Sequence, residues 1–406
     1  MAKMNKMLNS QPRHQIGILR KEDGSFTDSL DESLDLILNK CFPGFKNYNS
    51  SKIDEIKHIK ELSDKAGMIT RNEISCLSIQ RIKSSILSTK AHKACGPDTI
   101  KLIVLRNLPI EALSILKTIY EGSLAAKYTP LTWRKANIIM IPKPNKPDYQ
   151  KAGSFRPITL ANHLFKTMEK LILWHITETH LKEKPLNRNQ HAFRNDSSTE
   201  SAALQVATQI EDSIHKKKFC VATFADISGA FDTVSGDAII NAMVERGISE
   251  SIIAWYEQYI MNRIATINVQ NCSKTIALNR GCPQGGCLST LAWNLVFDQL
   301  LDAFKRHGVN IVGFADDACL LVSGESLGHL YRRMNTALRT LSEWAEQRGL
   351  VISQENTVGM IFTRKYKYSL PNNYLQLNGD LMWAMEILIH FFSLKIITQI
   401  TTTLLI

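Results

Sequence analysis

The chain has 406 residues and is 44% hydrophobic, which makes it a globular protein with room for two or three domains of about 150 residues. Lys and Arg total 49 against 38 Asp and Glu, and the resulting charge of +11 and pI near 9.2 suit a nucleic-acid partner without establishing one. The eight cysteines (Cys41, Cys76, Cys95, Cys220, Cys272, Cys282, Cys287, Cys319) show no Cys-x-x-Cys spacing, which excludes a zinc knuckle or disulfide framework and points to reduced thiols in an intracellular protein.

The N-terminus, MAKMNKMLNSQPRHQ, lacks the apolar run of a signal peptide, and nothing in it separates nucleus from cytoplasm. Residues 1–100 are mostly polar, with an amphipathic patch at Leu34, Ile37 and Leu38 and a Gly96-Pro97-Asp98 turn near their end. From Trp133 the pattern sharpens. Ala136 to Ile141 reads as a strand, Lys143 and Lys146 punctuate a Pro-rich turn, and Phe155-Arg156-Pro157-Ile158 starts a return strand. Next, Gln190-His191-Ala192-Phe193-Arg194 precedes an N-cap signal at Ser198 and a helix with Ala203, Ala207, Ile210 and Ile214 on its apolar face. Gln190 and Arg194 either touch nucleic-acid phosphates or cap and solvate the entrance to that helix.

Phe219 to Val234, FCVATFADISGAFDTV, is an apolar run that delivers Asp226 at its end. A helix from Asp237 to Arg246 stops at Gly247, and Ser249 caps another carrying Ile252, Ile253, Tyr256, Tyr259 and Ile260. Strands at Ile264–Val269 and Thr275–Leu278 lead into RGCPQGGCLSTLAWNLVFDQL, where Gly281, Gly285 and Gly286 flank Pro283-Gln284 and let the backbone approach a ligand closely. The helix after this loop buries Leu288, Leu291, Leu295 and Leu300.

Val309 to Ser323, VNIVGFADDACLLVS, places Asp316 and Asp317 between two apolar β-branched runs, the pattern of strand, tight turn and strand. Adjacent carboxylates oppose joint ionisation unless a cation neutralises them. Oxygen-only ligands favour a hard ion such as Mg²⁺. Ninety residues separate Asp226 from Asp316, so only a sheet with the two strands side by side can unite them. Three carboxylates so placed can hold two ions roughly 3.5 to 4 Å apart, the spacing used for in-line displacement at phosphorus. Downstream, a helix runs from Leu327 to Gly349, and strands at Leu350–Ile352 and Val358–Thr363 close the unit. The apolar tail Leu381–Ile406 is interrupted by Glu386 and Lys395, so no membrane span is expected.

Six stretches in order, WRKANIIMIPK, SFRPITL, QHAFR, FADISGAFDTV, RGCPQGGCLS and GFADD, make the chain resemble the reverse transcriptases of LINE-type (non-LTR) retrotransposons, the jockey-like elements among them, over about residues 16–379. The resemblance implies an α+β right-hand polymerase whose antiparallel palm sheet is backed by helices. It implies an N-terminal extension over 1–100, fingers over 101–218, a palm over 219–365 and a reverse transcriptase domain over about 124–365. A degenerate tail over 366–406 then stands where the primer grip and thumb belong. The implied activity is that of an RNA-directed DNA polymerase, a nucleotidyltransferase using an RNA template, a DNA primer, dNTPs and two Mg²⁺ ions, with Mn²⁺ as an alternative. Asp226, Asp316 and Asp317 match its catalytic and metal-binding acids, and Lys143 with Arg156 its triphosphate pair. Phe231 matches the gate that rejects a 2′-hydroxyl by sterics, though core packing is the commoner fate of such a ring. Gln284 and Gly285 match the turn supporting nucleotide and template, and Gln190 and Arg194 the template or primer contacts.

Four departures qualify the match. Cys95 and Thr99 flank the Gly-Pro-Asp turn in place of Pro and Gly, and Ala192 stands in place of Gly. Asn356 occupies the position of a Lys that can protonate departing pyrophosphate, and losing such an acid slows catalysis by ~10²-fold or more. The tail matches no thumb, which suggests a frameshifted or truncated copy or else a hydrophobic β segment. The alternative function is a degenerate copy that binds nucleic acid without extending a primer. An unrelated two-metal phosphohydrolase would need neither the Phe231 gate nor the Gln284 loop.

Overall fold

The computed structural model describes residues 16–48, 71–144, 146–305, 308–365, 368, 375–377, 380–382 and 384–388. In chain order its strands are β1 (Lys46–Asn47), β2 (Lys135–Pro142), β3 (Phe155–Ala161), β4 (Phe219–Ser228), β5 (Arg263–Val269), β6 (Cys272–Leu278), β7 (Asn310–Phe314), β8 (Asp317–Gly324), β9 (Val351–Thr363), β10 (Leu375–Leu377), β11 (Asp380–Met382) and β12 (Ala384–Leu388). The longer helices are α1 (Leu30–Cys41), α2 (Ile110–Ala125), α3 (His163–Glu178), α4 (Thr199–His215), α5 (Gly236–Arg246), α6 (Glu250–Met261), α7 (Ser289–Lys305) and α8 (Leu327–Glu346). Together they make an α+β protein with largely antiparallel sheets. Among the described residues no helix is long and apolar enough to cross a membrane, and all eight cysteines are free.

Two compact units form, one from residues 1–176 and 249–289 and the other from 177–248 and 290–406. They differ from the contiguous blocks expected at 1–100, 101–218 and 219–365. In the first unit the sheet order is β1-β6-β5-β2-β3, and β5 pairs in parallel with β2 from Lys135↔Ile264 to Ile138↔Ile267. That pairing places the hairpin β5–β6 in the first unit. Leu34, Ile37 and Leu38 of α1 are buried against Ile138, Ile267 and Ile276 of this sheet. Ser249 stands at the N-cap of α6 as expected, yet its hydroxyl donates to Glu73 Oε1 at 2.6 Å instead of capping. The Glu73 carboxylate is itself buried, and Ser251 donates to the same oxygen. A buried acid without donors is costlier than an uncapped helix end.

In the second unit the order is β12-β9-β4-β8-β7, with β4 at the centre. Seven consecutive residues of β4, Phe219 to Ala225, are buried. Cys220, Ala222 and Phe224 pack on Val206, Ile210 and Ile214 of α4, while α8 contributes a second apolar stripe from Leu327 to Ala345. The helix α4 starts with a reciprocal cap between Ser198 and Ser201, and α5 ends at Gly247 with φ +79°, both as the sequence suggests. The two strands expected at Leu350–Ile352 and Val358–Thr363 are one, β9, with an irregularity. Between the pairs Phe224↔Val358 and Asp226↔Ser353, β4 advances two residues (226 − 224) and β9 five (358 − 353), so 354–357 form a bulge in β9. Beyond β9, β10 pairs with β11 and β12 runs parallel to β9. The remainder of the expected degenerate tail over 366–406 lies outside the described residues.

The edge strand β7 is held against α7 with no spare room. A Cβ built on Gly313 would lie 2.4 Å from Phe297 Cε1, closer than two carbons can approach. Gly313→Ala should therefore destabilise the protein by about 1–3 kcal/mol, the usual cost of overpacking. Urea denaturation measures it, and the double variant Gly313→Ala/Phe297→Leu should lose less than the sum of the singles. Strict additivity would show that the ring is not the obstacle.

Candidate active site

The second unit gathers the three acids. Antiparallel pairing of β4 with β8 sets Asp226 directly opposite Asp317, and pairing of β7 with β8 sets Phe314 opposite Asp317, leaving Ala315-Asp316 as a two-residue turn. All three carboxylates are half-buried. The turn is strained at Ala315, whose φ of +57° costs a residue with a Cβ about 1–2 kcal/mol. Two side chains restrain it: Trp293 Nε1 donates to the Ala315 carbonyl at 2.7 Å and Gln190 Nε2 at 3.3 Å.

Gln190 belongs to a short segment laid along β7. Gly313 N–H donates to Asn189 O at 2.7 Å, and His191 N–H donates to Gly313 O at 2.9 Å. The Gln190 side chain is 1% exposed, and its Oε1 accepts from Ala192 N–H at 3.0 Å. Arg194 donates to the carbonyls of Asn187 and Gln190. Gln190 thus braces the turn through its side chain, and Arg194 holds the segment that carries Gln190. Phe231 stands half-buried between Phe193 (centroids 5.8 Å apart, edge-on) and Trp293 (5.6 Å, tilted). Phe193 itself is 52% exposed and takes φ +58°.

Electrostatics bind the acids together. Burial first, and then the charges of Asp316 and Asp226, push the Asp317 carboxyl up to about 8 from its usual value near 4. Asp226 Oδ2 accepts a hydrogen bond from Asn356 Nδ2 at 2.8 Å. Among the described residues no three acid, His or Cys side chains already surround one point as a finished metal cage. The donor set nonetheless fits a hard divalent cation: it is all oxygen, it converges on one end of a sheet, and its mutual repulsion is what a cation would relieve.

The first unit carries the other expected residues. Arg156 lies opposite Ile141 in the β2–β3 hairpin, and Lys143, two residues past Ile141, donates its N–H to Ser154 O at 2.8 Å. Register therefore puts Lys143 and Arg156 on one face, alongside the exposed Ile139 and Ile141. Gln284 O accepts from Thr159 N–H at 2.7 Å, so the glycine loop rests on β3. Gly285 takes φ +110°, and a Cβ there would sit 2.9 Å from Thr159 O. Beneath the loop, Glu169 Oε2 accepts from Cys287 N–H at 3.1 Å, and burial raises this carboxyl to about 7 against the pull of that N–H and of Lys166. Arg263 donates to the carbonyls of Arg280 and Gly281. Sequence reasoning missed Glu169, Arg263, Trp293 and Phe193. Trp293 had a signal, an aromatic on the helix next to the glycine loop, and so had Phe193, an aromatic inside the QHAFR stretch.

Residues 141–375 match the family model of reverse transcriptase (RNA-dependent DNA polymerase). The chain is 26% identical over 369 residues to a probable RNA-directed DNA polymerase from transposon BS of Drosophila melanogaster, covering 89% of this chain and 40% of that protein. It is 24% identical to the RNA-directed DNA polymerase from mobile element jockey of the same fly, over 94% of this chain and 41% of the relative. A retrovirus-related Pol polyprotein from the type-1 retrotransposable element R2 of Popillia japonica is 26% identical over 80% of this chain and 45% of its own length. The chain thus spans less than half the length of these curated relatives.

The elevated Asp317 carboxyl gives the site a pH signature. Unfolded, this group titrates near 4; folded and cation-free it titrates at about 8, so the folded state holds the extra proton between these values. Its contribution to stability therefore falls as pH rises through that window. In chelator, wild type and Asp317→Asn should be similar in urea denaturation at about pH 5, and the Asn variant should be the more stable at about pH 9. Parallel pH profiles would remove Asp317 as the source.

Proposed function

We propose, because this chain belongs to the reverse transcriptase (RNA-dependent DNA polymerase) family, that it extends a primer 3′-hydroxyl with dNTPs on an RNA template, as the polymerase of a non-LTR mobile element. The pairing of Asp226 with Asp317, with Asp316 in the adjoining turn, carries this reading. Two divalent cations held by these carboxylates, Mg²⁺ or Mn²⁺, would supply Lewis acidity to the attacking hydroxyl and the departing pyrophosphate.

The remaining assignments concern the chain's own groups. Arg156 clamps triphosphate oxygens through its planar fork and Lys143 as a point charge, both presented on one face of the β2–β3 hairpin. Phe231, fixed between two aromatic neighbours, offers a rigid wall against a 2′-hydroxyl. Gln284 and Gly285 support nucleotide and template where the loop lies on β3. Gln190 and Arg194 act by keeping the acidic turn in place. In right-hand terms the β2–β3 hairpin serves as fingers and the sheet of the second unit as palm.

A second reading, a remnant that binds nucleic acid without extending it, is favoured by one observation: Asn356 next to Asp226 has no proton to give a leaving group. Primer extension on an RNA template with Mg²⁺ separates the two. Wild type should incorporate dNTPs, and Asp316→Ala should lose at least about 100-fold, the scale of removing one electrostatic contact from a transferring group. Equal activity in both proteins rules out the acids as the site. Salt-dependent binding without incorporation by wild type establishes the remnant.

A further inference from the structure

The bulge of β9 places a neutral amide directly on one of the three acids. Its base is stapled: Asn356 N–H donates to Ser353 Oγ at 3.2 Å, and Thr357 Oγ1 donates to Ser353 O at 2.5 Å. Ser353 is itself the register partner of Asp226. The extra residues of β9 thus return the Asn356 side chain to the carboxylate that its own strand faces, and the 2.8 Å contact to Oδ2 follows from a built excursion of the backbone.

We propose that Asn356 is a positioning residue that orients the Asp226 carboxylate for cation binding. A carboxylate oxygen offers two lone pairs, so one amide N–H on Oδ2 leaves Oδ1 and part of Oδ2 for a metal. The donor restricts the rotamer, as outer contacts to metal-binding carboxylates do. Asparagine achieves this without charge, whereas a lysine at the same point would repel the ion it helps to seat. The proposal rests on Asp226 and Asp317 being cation ligands, and it adds that an exposed amide on a third strand tunes them.

Mn²⁺ titration of the full chain, followed by electron paramagnetic resonance without nucleic acid, tests it. Wild type, Asp317→Ala, Asn356→Leu and Asn356→Gln are compared, with thermal melting as the control for folding. Asn356→Leu keeps the volume and removes the donor, and it should weaken Mn²⁺ binding by about 10-fold or more. Asn356→Gln keeps an amide and should restore most of the affinity. Loss of Mn²⁺ binding in Asp317→Ala together with wild-type or tighter affinity in Asn356→Leu leaves the acids as ligands and overturns the role of Asn356. Absence of saturable binding by wild type, or its full retention in Asp317→Ala, overturns the acids as ligands and the proposal with them.

Discussion

Like charges forced together at the end of an apolar sheet set the terms for everything around them. β4 and β8 are buried almost throughout, and their pairing makes Asp226 and Asp317 neighbours in a half-buried place. Electrostatics alone would push the acids apart. They stay because the backbone leaves no alternative: Ala315 is held in a left-handed turn by Trp293 and Gln190, and Gly313 is pressed on Phe297. The strain at the turn and the raised Asp317 carboxyl are two expressions of one preorganised arrangement.

Much of this was legible in the sequence, for reasons that differ by residue. Asp226, Asp316 and Asp317 each end or interrupt an apolar β-branched run, and such a run has few places to go except a buried strand. The helices α4 and α5 carry their own start and stop signals at Ser198 and Gly247. Long-range contacts left no such trace. The parallel pairing of β5 with β2 depends on partners 129 residues apart (264 − 135), and no local pattern announces it. Ser249 looked like a cap because its hydroxyl was counted without Glu73, which lies 176 positions earlier. Gln190 carried no sign in the sequence of being buried, yet its amide reaches the Ala315 carbonyl from inside the protein.

The glycine loop of the first unit shows a similar division. Its Gly-Gly pair was readable as a place of close backbone approach, and Gly285 indeed comes so near Thr159 that a side chain would collide. What steadies the loop was not readable. Glu169 and Arg263 reach its backbone from a helix and a strand that both precede it in sequence, one accepting from Cys287 and the other donating to Arg280 and Gly281. Their partners are main-chain atoms that carry no residue identity.

The position of β4 at the centre of its sheet also governs how the molecule can be assembled. Its hydrogen-bonding neighbours, β8 and β9, begin at Asp317 and Val351, so a chain growing from the ribosome completes β4 nearly ninety residues before either arrives. Neither flank can be closed by a nearby hairpin, and loop-closure entropy must be overcome twice before the central strand is paired. Slow, non-local folding follows, with an unpaired apolar strand exposed during synthesis and therefore open to aggregation or chaperone capture.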